Sequence, residues 1–292
     1  MALPRSNVDG AVGRGAIADG AGASASLLVS RVSKFYAGPR GTKIEAVQDV
    51  TMEVREGQFT AIVGPSGCGK TTVLAMIAGL LQPDSGEVEV HLPTRMGTER
   101  QHFRRSLLFQ KDTTLPWLSV RKNLEVCLLA AGQESGGSGR SSNTHERVDE
   151  MLLMSGLSQF AHAYPHQLSG GMLRRLALFQ SLITEPDLLM LDEPFGALDE
   201  PTRIELHALL LTLPAPKMTI LITHDIAEAI SLADLVMVMT RRPGRVKAVY
   251  EVDIPKPRNV YQVRETTRFG ELYRAIWREI REEIVVDAPN RD

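Results

Sequence analysis

The sequence predicts an α/β fold: a mainly parallel sheet with helices on both faces and a helical subdomain inserted into it. Three observations predict it. Four short apolar runs, Phe59–Val63, Leu188–Leu191, Met218–Thr223 and Leu235–Met239, have the length and composition of strands covered on both sides. Stretches with helical spacing alternate with them, as a parallel sheet requires. A glycine-rich turn joins the first run to the first helix.

Taken in order, residues 1–26 carry seven Ala and five Gly, too little side chain to bury, so this tail is expected to be disordered. Phe59-Thr-Ala-Ile-Val63 is a strand. Val73, Leu74, Met76, Ile77 and Leu80 form a helical stripe, closed by the turn Pro83-Asp84-Ser85-Gly86. Gln133 to His145 is more than half Ser and Gly and reads as a surface loop between helices. Met172, Leu176, Phe179 and Ile183 mark an amphipathic helix, followed by the buried strand Leu188-Leu-Met-Leu191. Ile226, Ala229, Ile230 and Ala233 mark another helix, between the last two strands. Near the C-terminus Phe269, Leu272, Tyr273, Ile276, Trp277 and Ile280 form a stripe among Arg and Glu. That helix packs on its own domain or, alternatively, binds a partner.

The chain of 292 residues is 43% hydrophobic and 23% charged with a formal net charge of −2. These are values of a globular protein, and they provide no basic field for a nucleic-acid backbone. Cys68 and Cys127 form neither a disulfide framework nor a zinc pattern, and a reducing compartment is the simplest expectation. His162 and His166, four residues apart, read as surface residues rather than a metal site. No run of about 18 apolar residues is present, so a role at a membrane requires other chains to provide the span. Arg5, Asp9, Arg14 and Asp19 interrupt any signal-peptide core.

The chemistry concentrates in Gly64-Pro65-Ser66-Gly67-Cys68-Gly69-Lys70-Thr71, with Thr72 next in the helix, a match to G-x-x-x-x-G-K-[ST] between a strand and a helix. Glycines let backbone N–H groups turn inward around phosphate oxygens, and the helix N-terminus adds its own donors. Lys70 is placed to neutralise the β- and γ-phosphates, and the Thr71 hydroxyl to ligate Mg²⁺. Such a loop needs an acidic residue at a neighbouring strand end, and Asp192 supplies it. Glu193 beside it is placed to polarise the attacking water, as base or by positioning, with a structural carboxylate as the alternative. Many more residues separate Lys70 from Asp192 than one βαβ unit needs, so an inserted unit lies between. Within it Leu168-Ser169-Gly170-Gly171 opens the helix of Met172. That is a second helix N-terminus fit for an anion, or else a plain Ser cap with glycines for turning. Cys68, at a helix N-terminus, is expected to have a lowered thiol pKa, and its alkylation to be blocked by MgATP.

With these motifs the chain resembles the ATPase subunits of ATP-binding-cassette transporters over roughly residues 27–250. The order matches: phosphate loop, Gln110 after an apolar strand, Leu168–Gly171 as signature, Asp192-Glu193, Ala197-Leu198-Asp199, then His224. The resemblance implies a P-loop NTPase core with an N-terminal antiparallel β portion and an inserted helical subdomain at about 112–180. Residues 251–292 form a C-terminal extension. It also implies ATP and Mg²⁺ as ligands and a head-to-tail pair in which each signature serves the partner's nucleotide, so that Ser169 acts on the other copy's ATP. Gln110 resembles the residue that reaches magnesium and water and senses the membrane partner. His224 resembles the switch histidine on the γ-phosphate, and Tyr36, or Phe35, the aromatic stacked on adenine. Asp199 resembles the aspartate that couples the two sites.

Leu115-Pro116-Trp117, Met172 where many relatives carry Gln, Arg242-Pro243-Gly244-Arg245 and Asp253-Ile-Pro-Lys-Pro257 resemble importers for nitrate, aliphatic sulfonates and taurine. The implied setting is peripheral, on the cytoplasmic face of the cell membrane, beneath permease subunits served by an external substrate-binding protein. One departure stands out: Gln180 occupies a place where relatives usually carry Arg, which puts local packing in question. Two other readings are a soluble cassette ATPase of DNA repair or translation and a catalytically silent regulatory subunit. One cassette with two cysteines and no long heptad run disfavours the first, and retention of Lys70, Asp192, Glu193 and His224 the second.

Overall fold

A computed structural model describes residues 24–92, 103–111, 113–131, 140–196, 198–213 and 216–285. Residues 1–23 of the predicted tail, 133–139 of the predicted loop, Asp112, Ala197 and 286–292 lie outside the described residues.

Two sheets share a core. The first is antiparallel, in the order β2-β1-β4, from β1 (Ser26–Ala37), β2 (Lys43–Arg55) and β4 (Ser85–His91). The second has six strands in the order β5-β6-β7-β3-β8-β9: β3 (Gln58–Val63), β5 (Arg105–Leu108), β6 (Leu188–Asp192), β7 (Met218–Ile222), β8 (Leu235–Met239) and β9 (Val246–Glu251). All neighbours in it are parallel except β8 and β9. The parallel sheet and the antiparallel N-terminal portion are both as expected.

The apolar runs are continuous because both faces are covered. Leu188 and Met190 of β6 point into a core shared with β1, β2 and helix α1 (Lys70–Ile77), whereas Leu189 and Leu191 point into the core beneath the other helices. Successive strand residues face opposite sides, so burial on both requires apolar residues throughout. The helices on that second face are α2 (Val120–Ala130), α3 (Arg140–Met154), α4 (Gly170–Leu182), α5 (Glu200–Thr212), α6 (Ile226–Leu232) and α7 (Thr267–Val285). Ser119, Ser169 and Asp225 cap α2, α4 and α6 by accepting hydrogen bonds from the first-turn N–H groups.

Three expectations are corrected here. Ala25 is buried and Ser26 already belongs to β1, because Ala25 exchanges hydrogen bonds with Glu56 through its own N–H and carbonyl. Pairing, which composition does not report, orders the end of the tail. The predicted loop ends early: α3 begins at Arg140, so 140–145 are helical. Leu80 falls outside α1 and is 65% exposed, since Gly79 takes a positive φ of 77° just after the helix end. Trp117 is 69% exposed, and the segment Leu115-Pro116-Trp117 is held from below by the buried amide of Asn123, which bonds Leu115 and Leu118.

The C-terminal stripe packs on its own chain: Phe269, Leu272, Ile276 and Ile280 join the core of β8 and α6, while Tyr273 and Trp277 stay half-exposed. Gln180, where relatives were expected to carry Arg, donates through Nε2 to the carbonyl and side-chain oxygens of Asn123 at 3.1 and 3.2 Å, while its buried Oε1 has no partner among the described residues. No described helix is long and apolar enough to cross a membrane.

Candidate functional site

Register brings the chemistry to one edge. Ile62 of β3 is level with Ile222 of β7, which is level with Asp192 of β6, so the segments after these strands emerge together. The carboxyl edge of a parallel sheet is where ligands bind in such folds. A larger groove of about 760 Å³ opens at the opposite end of β3, beside Gln58, Leu213 and Tyr261, away from these residues.

The loop Gly64–Gly69 leads into α1. Gly69 has φ +105°, and a Cβ there would lie 2.7 Å from Val47 Cγ2 and 2.8 Å from the Ala46 carbonyl, so both conformation and space demand glycine. Gly67 also has positive φ, while Ser66 and Gly67 are exposed at the loop tip. Lys70 is 6% exposed. Its ammonium donates to the carbonyls of Gly64 at 2.9 Å and Pro65 at 3.0 Å, which centres a positive charge inside the loop. Thr71 donates to Asp192 at 3.4 Å. Burial raises the Asp192 carboxyl from its ordinary value, opposed by the Thr71 hydrogen bond.

Beside this pair, two side chains converge on Glu193. Gln110 Nε2 donates to Glu193 Oε2 at 3.1 Å, and His224 Nδ1 lies 3.5 Å from Oε1. Glu193 has φ +43°, unusual for a side-chain-bearing residue, and is held there by its N–H bond to Ile222. Gln110, Glu193 and His224 line a cleft of about 620 Å³ together with Gly170, Arg174 and Gly196.

The hard oxygens of Thr71 and Asp192 suit magnesium, which takes one or two protein oxygens and leaves the rest to phosphates and water.

Tyr36, the penultimate residue of β1, has its hydroxyl 3.4 Å from Thr72 Oγ1 and is 43% exposed beside the phosphate loop. Phe35 is covered by the Lys43 ammonium, 3.4 Å from its ring centre, which favours Tyr36 as the open aromatic. Ser169 and Gly170 are exposed at the start of α4, and Gly170 has open space around it. A Cβ on Gly171 would lie 2.7 Å from Thr202, so this glycine lets α4 approach α5. Asp199 precedes α5, with its carboxyl held below the usual range chiefly by Thr202.

The lowered thiol pKa expected for Cys68 is overturned. Its thiol is buried, and burial pushes its pKa up more strongly than Lys70 pulls it down, so desolvation outweighs the helix end.

Two positions escaped the sequence reading. Gly244, noted only as part of a subgroup marker, packs under the phosphate loop: a Cβ would lie 2.0 Å from the Cys68 carbonyl oxygen. Arg174 lies buried between the segments carrying Gln110 and Glu193. A doubled Arg in the signature helix was the only signal for it.

Known proteins share this arrangement. Residues 47–196 match the family model described as ABC transporter. The chain is 36% identical over 254 residues to the nitrate import ATP-binding protein NrtC of Synechococcus elongatus, an alignment covering 85% of this chain and 37% of that longer protein. It is 35% identical to the taurine import ATP-binding protein TauB of Jannaschia over 84% of this chain and 90% of the relative. Among solved structures, the dimeric post-hydrolysis state of the ATP-binding cassette MJ0796 bound to ADP and Pi matches with a TM-score of 0.66 and 28% identity. The match covers 78% of this chain and all of that one.

Proposed function

The chain belongs to the ABC transporter family, and we propose that it is the ATP-hydrolysing subunit of an import system for a small anion such as nitrate, an aliphatic sulfonate or taurine. The observation that carries the catalytic part is the convergence of Gln110 and His224 on Glu193, next to the Lys70, Thr71 and Asp192 cluster.

In this reading the backbone of Gly64–Gly69 and the start of α1 hold the phosphates, while Tyr36 offers its ring to adenine. Lys70 leaves the loop carbonyls for the β- and γ-phosphates. Thr71, Asp192 and Gln110 would hold magnesium, which would supply charge neutralisation at the phosphate oxygens. Glu193 orients and polarises the water for in-line attack. His224, already beside Glu193, takes the γ-phosphate side. Positioning and charge carry the catalysis.

Exposed Ser169 and Gly170 complete the site of a second copy, with Asp199 at the seam, and a dimeric structural neighbour supports that pairing. Closure and reopening act on separate permease subunits near Gln110 at the inner face of the membrane, served by an external substrate-binding protein. The names of the nitrate and taurine import relatives support the import direction.

The test is Glu193→Gln. It should keep ATP binding, slow turnover at least about a hundredfold and accumulate an ATP-bound dimer on a sizing column. Turnover near that of the unaltered chain would remove Glu193 from this role.

A further inference from the structure

Arg174 sits on the second turn of α4 with 7% of its surface exposed, and the proposed reaction does not use it. Its guanidinium reaches four main-chain carbonyls on two segments. Nε donates to Pro194, Nη1 to Phe109 at 3.2 Å and Gln110 at 3.4 Å, and Nη2 to Glu193 at 3.3 Å. Phe109 and Gln110 follow β5, Glu193 and Pro194 follow β6, and these strands are parallel neighbours.

We propose that Arg174 is a positioning residue for hydrolysis: its fork fixes the backbones from which Gln110 and Glu193 project and ties both to the helix that begins at Ser169. The inference rests on the reading of Glu193 as the group that polarises water. Four carbonyl dipoles turned on one buried cation form a rigid staple, because a planar guanidinium presents several donors in fixed directions. Glu193 needs such a staple, since its positive φ persists only where its surroundings impose it. A turn of α4 carries the guanidinium with it, so whatever engages Ser169 is felt at Glu193 of the same chain. Lysine keeps the charge but concentrates its donors at one point, so it cannot span both segments. Methionine fills the space and donates nothing.

The experiment compares the full chain with Arg174→Lys and Arg174→Met in steady-state MgATP hydrolysis and in ATP binding. Both variants should lose at least about tenfold in kcat, while KM and binding affinity stay within about threefold, because the four carbonyls that hold the Arg174 guanidinium belong to the segments after β5 and β6 and not to the phosphate loop. Arg174→Lys placed on Glu193→Gln should add less than about twofold, since both changes act on one group. A merely structural role would instead lower affinity and kcat together. The inference is overturned by near-normal kcat in both variants, by parallel loss of affinity, or by additive losses in the double variant. Normal turnover of Glu193→Gln alone would sink the reading of Glu193 and this inference with it. Normal turnover of the Arg174 variants beside a dead Glu193→Gln would sink only the inference.

Discussion

Gly244→Ala places a methyl group where the structure has no room. The new Cβ would lie 2.0 Å from the Cys68 carbonyl oxygen and 2.8 Å from Met239 Cε, against 3.4 Å for ordinary contact, so more than an ångström must be found. Gly244 cannot retreat freely. Its N–H donates to Ala46 at 3.0 Å and its carbonyl accepts from Gln48 at 2.9 Å, and breaking both costs about 2 kcal/mol. If Cys68 yields instead, the phosphate loop moves, and donors displaced by about 1 Å lose tenfold or more in affinity. The strain is shared between these routes. The variant should bind a fluorescent ATP analogue roughly tenfold more weakly and melt roughly 5 °C lower. Gly270→Ala makes the contrast, because its Cβ in α7 meets only Arg274 at 3.8 Å. There alanine should raise stability by about 0.5–1 kcal/mol through helix propensity and leave ATP affinity alone. If Gly244→Ala binds within about twofold of the original and melts at the same temperature, the packing argument fails.

Two further predictions concern buried charge. Burial raises the Glu228 carboxyl to about 8, with the Asp225 charge adding to it, and its Oε1 has no partner among the described residues. The folded chain therefore holds a proton that the unfolded chain releases above about 4.5, and this contribution to stability falls as pH rises from 4.5 to 8. Glu228→Gln should remove that fall and melt above the unaltered chain at pH 8, by an amount on the order of a few kcal/mol, with the gap closing toward pH 4.5. Equal pH slopes would refute it. Arg258, with its side chain 2% exposed, bonds the carbonyls of Val252, Ile254 and Ala233 and the carboxylate of Asp234. Arg258→Met should cost about 3 kcal/mol, read as a drop of roughly 1 M in the urea midpoint. A shift under about a third of that would show the network to be dispensable.

Much of this was legible in the sequence because it is local. A strand between two cores must be apolar throughout, so Leu188–Leu191 reads directly as β6. Lys70, Thr71 and Asp192 announce themselves because their chemistry fixes their type and spacing. Ala25 did not, since its order comes from Glu56, a residue 31 positions away. Cys68 misled because a helix end is visible in sequence while the depth of burial is not, and here burial wins. Leu80 misled because periodicity continues past the point where Gly79 turns the chain.

The site thus depends on two kinds of residue, and they fail differently. In the proposed reaction Lys70, Asp192 and Glu193 meet the reactants, and losing them should remove chemistry. Gly244 and Arg174 meet only other parts of the chain, and their partners separate cleanly. Gly244 abuts the segment at Cys68, inside the phosphate loop. Arg174 donates to main-chain carbonyls of the segments that carry Gln110 and Glu193. Misplacing phosphate donors weakens ground state and transition state alike, whereas misplacing a water-polarising carboxylate weakens only the transition state. Gly244→Ala should therefore act mainly on nucleotide affinity and Arg174→Lys mainly on kcat. That division follows from which loop each residue touches, not from how far either lies from the γ-phosphate.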